Sequence, residues 1–528
     1  MSDLYSDNDP EYRSTRVKSG IPPPSVRDRR RNPRQGGDLS RFNPAMQRNQ
    51  HQQQQRHSPY GQTRDERRYQ DHDNQRYQQQ QRYPEHQQQQ RYSEHQQRYS
   101  EQKQYNEQHQ NYPGEQRHEQ QRQPYPDQQQ QRPVAPPAPK PKPLELRTST
   151  DFLKCEKRLS LEDLVNIIEC LTCTSETDYD FLSSKALVDK VNQLRENIRH
   201  IPYEQRTEAR SKSNPFERVG NAIFMNRAAT KLAALDATFG LAVTNNGQQE
   251  FTFADICGGP GGFSEYLLWR VHSWGESAHG FGITLKGSEE MNWHTEKFRP
   301  DIPRHSLTQI DGADGTGDLY KLDNIKQFES IVLKETRAKG VDLAVADGGF
   351  DFSGNEAQQE LSAQRLLLCE IVTMLTCLKQ GGHFVCKFFD ILSESTAGLV
   401  WLLYQLFDEI CITKPLSSRP ANAERYIICK GLLHEKPTQI VQLLMKAIDT
   451  NTTAINIVSR QYLEKDEDFI DYVKMRNIRF AMKQTEALEQ MDQFIKNPQL
   501  APLYDQEQVK RHCLNEWRLP LQDSQHYF

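Results

Sequence analysis

Leu, Ile and Val are scarce in the first 143 positions of this 528-residue chain, and beyond them the spacing of apolar residues changes period several times. Residues 160–170 and 182–198 place apolar side chains at helical intervals. Asn214-Pro215-Phe216-Glu217 reads as a helix start, with Asn214 as N-cap and Pro215 at the first position, and predicts a helix to about Phe239. The period then shortens. Phe251, Phe253 and Ile256 read as a buried strand, which Gly258-Gly259-Pro260-Gly261-Gly262 breaks. A helix follows, with Tyr266, Leu267, Leu268 and Val271 on its apolar face. Residues 280–285 and 341–346 are the next strands, the latter ending in Asp347-Gly348-Gly349. A long helix over 358–378 is closed by Gly381-Gly382, and 383–387 is a strand. A helix over 396–407 precedes the last two strands, 409–413 and 426–429. Strands alternating with helices predict an open α/β sheet with helices on both faces. No helix separates the final two strands, so one of them is expected to run antiparallel. Beyond Leu432 the pattern is helical, through Met445 and again over 472–495.

Composition sets the boundaries. The apolar fraction is only 35%, because the segment before about Pro143 is Gln, Arg, His, Tyr and Pro. Such a segment cannot bury enough apolar surface to offset the entropy of ordering, so disorder is expected there. Its loose repeat, as in Arg91-Tyr92-Ser93-Glu94-His95, holds no core residues and is low complexity rather than a solenoid. Residues 133–143 form a proline-rich linker. The expected organisation is a tail and linker over 1–145, a helical extension over 146–240, the α/β core over 241–435 and a helical segment over 436–528.

Charge divides along the same line. Up to Arg147 there are 25 Lys/Arg and 18 Asp/Glu, about +7, which leaves about −11 for the rest of a chain whose net charge is −4. A basic tail dotted with tyrosines suits loose contact with RNA, and equally a solubilising role. Arg27-Asp28-Arg29-Arg30-Arg31-Asn32-Pro33-Arg34 has the form of a nuclear import signal, so a nuclear location is expected, with the cytoplasm as the alternative. Ten scattered cysteines, Cys257, Cys386 and Cys429 among them, suit small core residues in a reducing compartment. Cys170 and Cys173 have no second ligand pair nearby, and no metal is expected. No segment reaches membrane-spanning length, so a soluble intracellular protein is the expectation.

The chemistry gathers at strand ends, where an open α/β sheet keeps its site. Gly258 to Gly262 let the backbone approach a ligand closely, and Asp255 at the strand tip can hold an amine or hydroxyl. A dinucleotide fingerprint fails here. Ser264 stands where its third glycine belongs, and the next strand ends in Lys286-Gly287 instead of an acid. Asp347 and Lys387 end strands, Glu424 follows the turn Ser417-Ser418-Arg419-Pro420-Ala421-Asn422-Ala423, and Lys231 projects from the helix before the sheet. Two lysines and two carboxylates at equivalent edges are expected to form one charge network.

Asp255 through Gly262, read as Asp-x-x-x-x-Pro-Gly-Gly, resembles the first motif of the FtsJ-like (RrmJ-type) ribose 2′-O-methyltransferases. Lys231, Asp347, Lys387 and Glu424 fall in the order of that family's Lys-Asp-Lys-Glu tetrad. The wording of residues 224–231, 346–350 and 418–426 is similar to its cap-1 mRNA branch, over about residues 150–515. The resemblance implies a Rossmann-like core, S-adenosylmethionine as donor, and the first transcribed nucleotide of 5′-capped mRNA as acceptor. It implies that Gly258, Gly259, Pro260, Gly261 and Gly262 cradle the methionine part, flanked by Cys257 and Phe263. It implies donor contacts at Asn226, Asp318 and Leu319, with Asp318 at the adenine, and RNA contacts at Arg210 and Asn422. Lys387 would face the 2′-hydroxyl as base or orienting group. Like charge on Lys231 would lower its pKa, and Asp347 and Glu424 would pull the other way. Animal members carry G-patch, guanylyltransferase-like and WW domains, none of which is legible here, and the tail is the expected route to transcription or capping machinery. A 2′-O-methyltransferase acting on rRNA, tRNA or snRNA and a non-catalytic RNA-binding module are the alternatives.

Overall fold

In the computed structural model, residues 143–172, 177–220, 223–244, 249–303, 305–349, 358–449 and 455–521 are described. The tail expected to be disordered lies outside them. The strands are β1 Leu153–Lys154, β2 Leu171–Thr172, β3 Phe251–Ile256, β4 Ala278–Ile283, β5 Leu307–Gln309, β6 Val341–Ala346, β7 Leu378–Phe388, β8 Phe407–Thr413, β9 Arg425–Leu432 and β10 Ile455–Asn456. Eight of them make one sheet in the order β1-β8-β9-β7-β6-β3-β4-β5. The strands from β7 to β5 are mutually parallel. β9 runs antiparallel between β7 and β8, as expected for a strand reached without a crossover helix. The order reverses between β3 and β6, so a crevice opens outside their carboxyl ends.

Alternation within each strand sends side chains to two cores. Ala254, Ile256, Phe384, Cys386 and Phe388 pack with helices Leu322–Glu335, Gln359–Cys377, Glu394–Leu406 and Thr438–Asp449. Phe251, Phe253 and Val385 face the other way, onto helices Arg227–Phe239, Gly262–Ser273 and Gln506–Glu516. Register levels the strand ends, with Ile256 beside Ala346, Ala346 beside Cys386, and Lys387 beside Tyr426. Asp347, Lys387 and Glu424 therefore stand in one row.

Three local expectations are corrected. Asn214 does not start a helix. It caps the end of helix Tyr203–Ser213 at ψ 110, because a following proline excludes the helical conformation. The next helix begins at Arg227, with Asn226 as its N-cap. Gly381 and Gly382 do not close a helix, since β7 starts at Leu378. They lie where the β6–β7 register shifts, and Gly381 takes φ +77. The strand expected over 280–285 runs from Ala278 to Ile283 and leaves Leu285 exposed.

Early and late helices share a third, smaller core. Val191, Ile198 and Ala209 of the early helices pack with Leu488, Met491 and Phe494 of helix Glu467–Lys496. β1 pairs with β8, so the early segment also supplies the sheet's edge strand.

Candidate active site

The row of strand ends is completed from helix Arg227–Phe239, which directs Lys231 into it. Lys231 Nζ lies 2.9 Å from Glu424 Oε2 and 3.6 Å from Asp347 Oδ2. Lys387 Nζ lies 3.1 Å from Asp347 Oδ1 and donates to the Asp347 carbonyl oxygen at 2.7 Å. All four side chains are only 11–15% exposed, so their attraction is weakly screened. Neighbours fix them further. Tyr426 donates its hydroxyl to Asp347 Oδ1 at 2.6 Å, and Ser418 donates to Glu424 Oε1 at 2.6 Å. Lys414 donates to the carbonyls of Asn422 and Glu424 and to Asn422 Oδ1, which holds the loop that carries Glu424.

Burial pushes the Glu424 carboxyl up, yet Lys231, Lys387 and Lys414 outweigh it and hold the group well below the usual carboxylate range. Burial pushes Lys387 down, but Asp347, Glu424 and Glu370 together raise it above the ordinary lysine value. Of the two opposed influences expected, the carboxylates prevail over Lys231, whose own charge is matched by Glu424 and Asp347. A lysine raised in this way stays an ammonium at neutral pH.

Beside this row the glycine turn forms a cradle. A Cβ at Gly258 would lie 2.4 Å from Asp255 Cγ and 2.6 Å from Trp293 Cη2, and one at Gly259 would lie 2.0 Å from the Met291 carbonyl oxygen. Gly261 takes φ +118, a conformation side chains rarely adopt. Asp255 is fully buried; its Oδ2 accepts from the Ser264 amide at 3.0 Å and hydroxyl at 2.6 Å. Its Oδ1 is buried with no partner among the described residues, and burial pushes the carboxyl up to about 7. Pro260 lies inside this turn, and Phe263 is buried behind it with its ring 6.4 Å from that of Tyr426. Cys257 takes φ +57 at the turn's start. Asn226 Oδ1 caps the Ala228 amide at 3.0 Å and occupies the space a Cβ on Gly262 would need. Asp318 lies in a turn pressed onto the end of β4, where a Cβ on Gly317 would meet the Thr284 carbonyl oxygen at 1.8 Å. Asp318 Oδ1 accepts from the Tyr320 amide, while Leu319 is buried in the core.

Arg210 and Asn422 take different roles. Asn422 shapes the Glu424 loop, accepting from Lys414 and from the Glu424 amide at 3.2 Å. Arg210 faces Arg206 and Arg419, and the Nε atoms of all three are buried without a partner among the described residues. Glu217 lies 3.7 Å from both Arg227 and Arg419. Guanidinium groups in that state suit phosphate. Among the described residues, no group of three or more His, Cys, Asp or Glu is arranged to hold a metal ion.

Sequence reading missed Tyr426, Ser418, Lys414, Ser264 and Glu370. Tyr426 and Ser418 stood inside the wording quoted around Glu424. A lone acid in the apolar run Leu366-Leu367-Leu368-Cys369-Glu370-Ile371-Val372 was the available signal for Glu370.

Residues 224–432 match the family described as FtsJ-like methyltransferase. The chain is similar to the cap-specific mRNA (nucleoside-2′-O-)-methyltransferase 1 of Dictyostelium discoideum, 37% identical over 331 residues, 59% of this chain and 43% of that protein. The human protein of the same name is 33% identical over 389 residues, 69% of this chain and 44% of its own length. This chain thus spans less than half the length of the curated relatives it matches. Among solved structures, a ribosomal RNA methyltransferase from Plasmodium falciparum aligns at 25% identity and a TM-score of 0.29, over 40% of this chain and 99% of that one.

Proposed function

Because residues 224–432 form an FtsJ-like methyltransferase domain, we propose that the protein transfers a methyl group from S-adenosylmethionine to the ribose 2′-hydroxyl of the first transcribed nucleotide of 5′-capped mRNA. One observation carries this reading: Lys231, Asp347, Lys387 and Glu424 converge in a single charge network beside the glycine cradle. Relatives named for cap-specific mRNA methylation support the choice of acceptor.

The residues fit the donor. Asp255 Oδ1 is an orphaned buried acceptor suited to an ammonium, and Gly258, Gly259, Gly261 and Gly262 let Asp255, Trp293, Met291, Phe298 and Asn226 close directly on the turn's backbone. When bound, S-adenosylmethionine supplies an electrophilic methyl on a positively charged sulfur. Asp255 and the turn would hold its methionine part, and Asp318 its adenosine part.

The chain's own groups then act on the acceptor. Lys387, an ammonium fixed by the Asp347 carbonyl and carboxylate, orients the hydroxyl oxygen for in-line attack. Asp347 and Glu424 hold both lysines charged and in place. The hydroxyl proton passes to solvent water as the new O–C bond forms and the oxygen becomes acidic, so a free lysine base is not required beforehand. Arg206, Arg210 and Arg419 face phosphates of the RNA. The basic run over 27–34 supports a nuclear location, and the tail over 1–145 is proposed to meet transcription or capping partners.

Methyl transfer from labelled donor to cap-0 RNA, uncapped RNA and tRNA in parallel tests the proposal, with nuclease digestion to locate the methyl group. Label on the first nucleotide of capped RNA alone is expected. Equal rates on uncapped RNA or tRNA would reject the cap assignment.

A further inference from the structure

Glu370 lies in the middle of helix Gln359–Cys377, completely buried, one layer beneath the row of strand ends. Burial of a carboxyl without a direct partner lysine is unfavourable, so its surroundings bear examination. Its Oε1 accepts from the Gly348 amide at 3.1 Å, and its Oε2 accepts from the Cys386 thiol at 3.6 Å. Both donors adjoin residues of the charge network: Gly348 follows Asp347, and Cys386 precedes Lys387.

The Gly348 amide has a second significance. It shares one peptide bond with the Asp347 carbonyl, and that carbonyl accepts from Lys387 Nζ at 2.7 Å. A trans peptide directs its N–H and C=O to opposite sides. The contacts therefore run in series, from the Glu370 carboxyl through the Asp347–Gly348 peptide to the Lys387 ammonium. Such a chain of aligned dipoles strengthens each of its bonds. The fit is tight, since a Cβ at Gly348 would lie 2.2 Å from Glu370 Oε1.

We propose that Glu370 is a positioning residue, which sets the plane of the Asp347–Gly348 peptide and through it holds Lys387 in place and charged. The groups that face Glu370 are Cys257 from the end of β3, Asp347 after β6, and Cys386 and Lys387 from β7, with Cys369 beside it on its own helix. Lys387 is the cation among them. Burial pushes Glu370 up to about 7, and Lys387 and the Gly348 amide counter that rise. Its negative charge in turn raises Lys387.

The kinetic arm of the test rests on the proposed reaction, whereas the spectroscopic arm does not. Lysine-labelled protein without RNA or donor is titrated by NMR, with the Lys387 signal assigned by its loss in Lys387→Arg. Glu370→Gln keeps an acceptor for Gly348 and removes the charge; Glu370→Ala removes both. Lys387 should lose its proton at lower pH in both variants than in the parent. With capped RNA, Glu370→Ala should lose about tenfold or more in kcat, with KM for donor and RNA within about twofold, and Glu370→Gln should recover most of that loss. An unchanged Lys387 titration in Glu370→Gln would overturn the proposal, and that variant is close enough in shape to fold if the alanine does not. Unchanged kcat in a folded Glu370→Ala would overturn it equally. If the parent protein methylates no RNA, the functional reading fails while the titration still decides the role of Glu370.

Discussion

Lys387 and Asp255 mark the two halves of the site at the scale of single residues, and opposite phenotypes are predicted for them. The Lys387 ammonium makes its polar contacts with Asp347, so Lys387→Ala should abolish methyl transfer and leave donor affinity nearly intact by calorimetry. Asp255→Ala removes the orphaned oxygen at the cradle and should weaken donor binding by about tenfold or more, the worth of a hydrogen bond to a charged group. Retained turnover in Lys387→Ala would sink the tetrad reading. The protonation of Lys387 carries a second prediction. Asp347, Glu424 and Glu370 raise it, so its ammonium persists across neutral pH. If the ammonium is the working form, kcat/KM for capped RNA should stay flat from about pH 7 to about pH 9. A tenfold climb per pH unit over that window would instead make the free-base lysine the active species.

The elements hold the site by close approach rather than by contact area. β3 and the helix that starts at Gly262 are joined by a turn with no room for side chains. Gly258→Ala should therefore displace Asp255 or Trp293 and reduce donor affinity, read by calorimetry, with little change in the remaining sheet. The same variant with donor affinity intact would mean that the turn's shape is structural only. Helix Arg227–Phe239 depends on its cap. Asn226→Ala removes the bond to the Ala228 amide and should lower stability by about 1 kcal/mol. Because Lys231 sits just over one turn further on, the charge network should loosen with it.

At the scale of the molecule, the buried carboxyls Asp255, Glu265 and Glu370 among the described residues are each pushed up to about 7, by burial in every case. A carboxyl raised in the folded state contributes stability at pH below its unfolded value, and that contribution is lost as pH rises through the folded value. These three groups should thus make the unfolding midpoint decline from about pH 5 to about pH 7. Glu424 acts oppositely, but its lowered value places its change below that window. Thermal unfolding of Asp255→Asn should show a shallower decline than the parent, and an identical slope would remove Asp255 from the account. The domain boundary is tested separately. Truncation to begin at Leu144 should leave turnover unchanged at saturating RNA, with any loss confined to affinity at low salt.

Local pattern was enough for the alternation of strands and helices, the glycine turn, and the antiparallel strand after the last crossover, because each follows from neighbours a few positions apart. Asp347 and Lys387 were legible for a related reason: each ends an apolar run, whereas Glu424 follows a turn and Lys231 lies within a helix. Asn214-Pro215 misled the reading because a proline serves both to start a helix and to stop one, and only the conformation of Asn214 distinguishes the two. Through-space relations lay beyond the linear pattern. β1 joins the sheet from about 250 residues away, and the early helices share a core with helix Glu467–Lys496. The charge state of Lys387 was decided in the same way. It depends on the burial of all four groups, on their distances, and on Glu370 beneath them, and a sequence names charges without stating how far apart they lie or how much water remains between them.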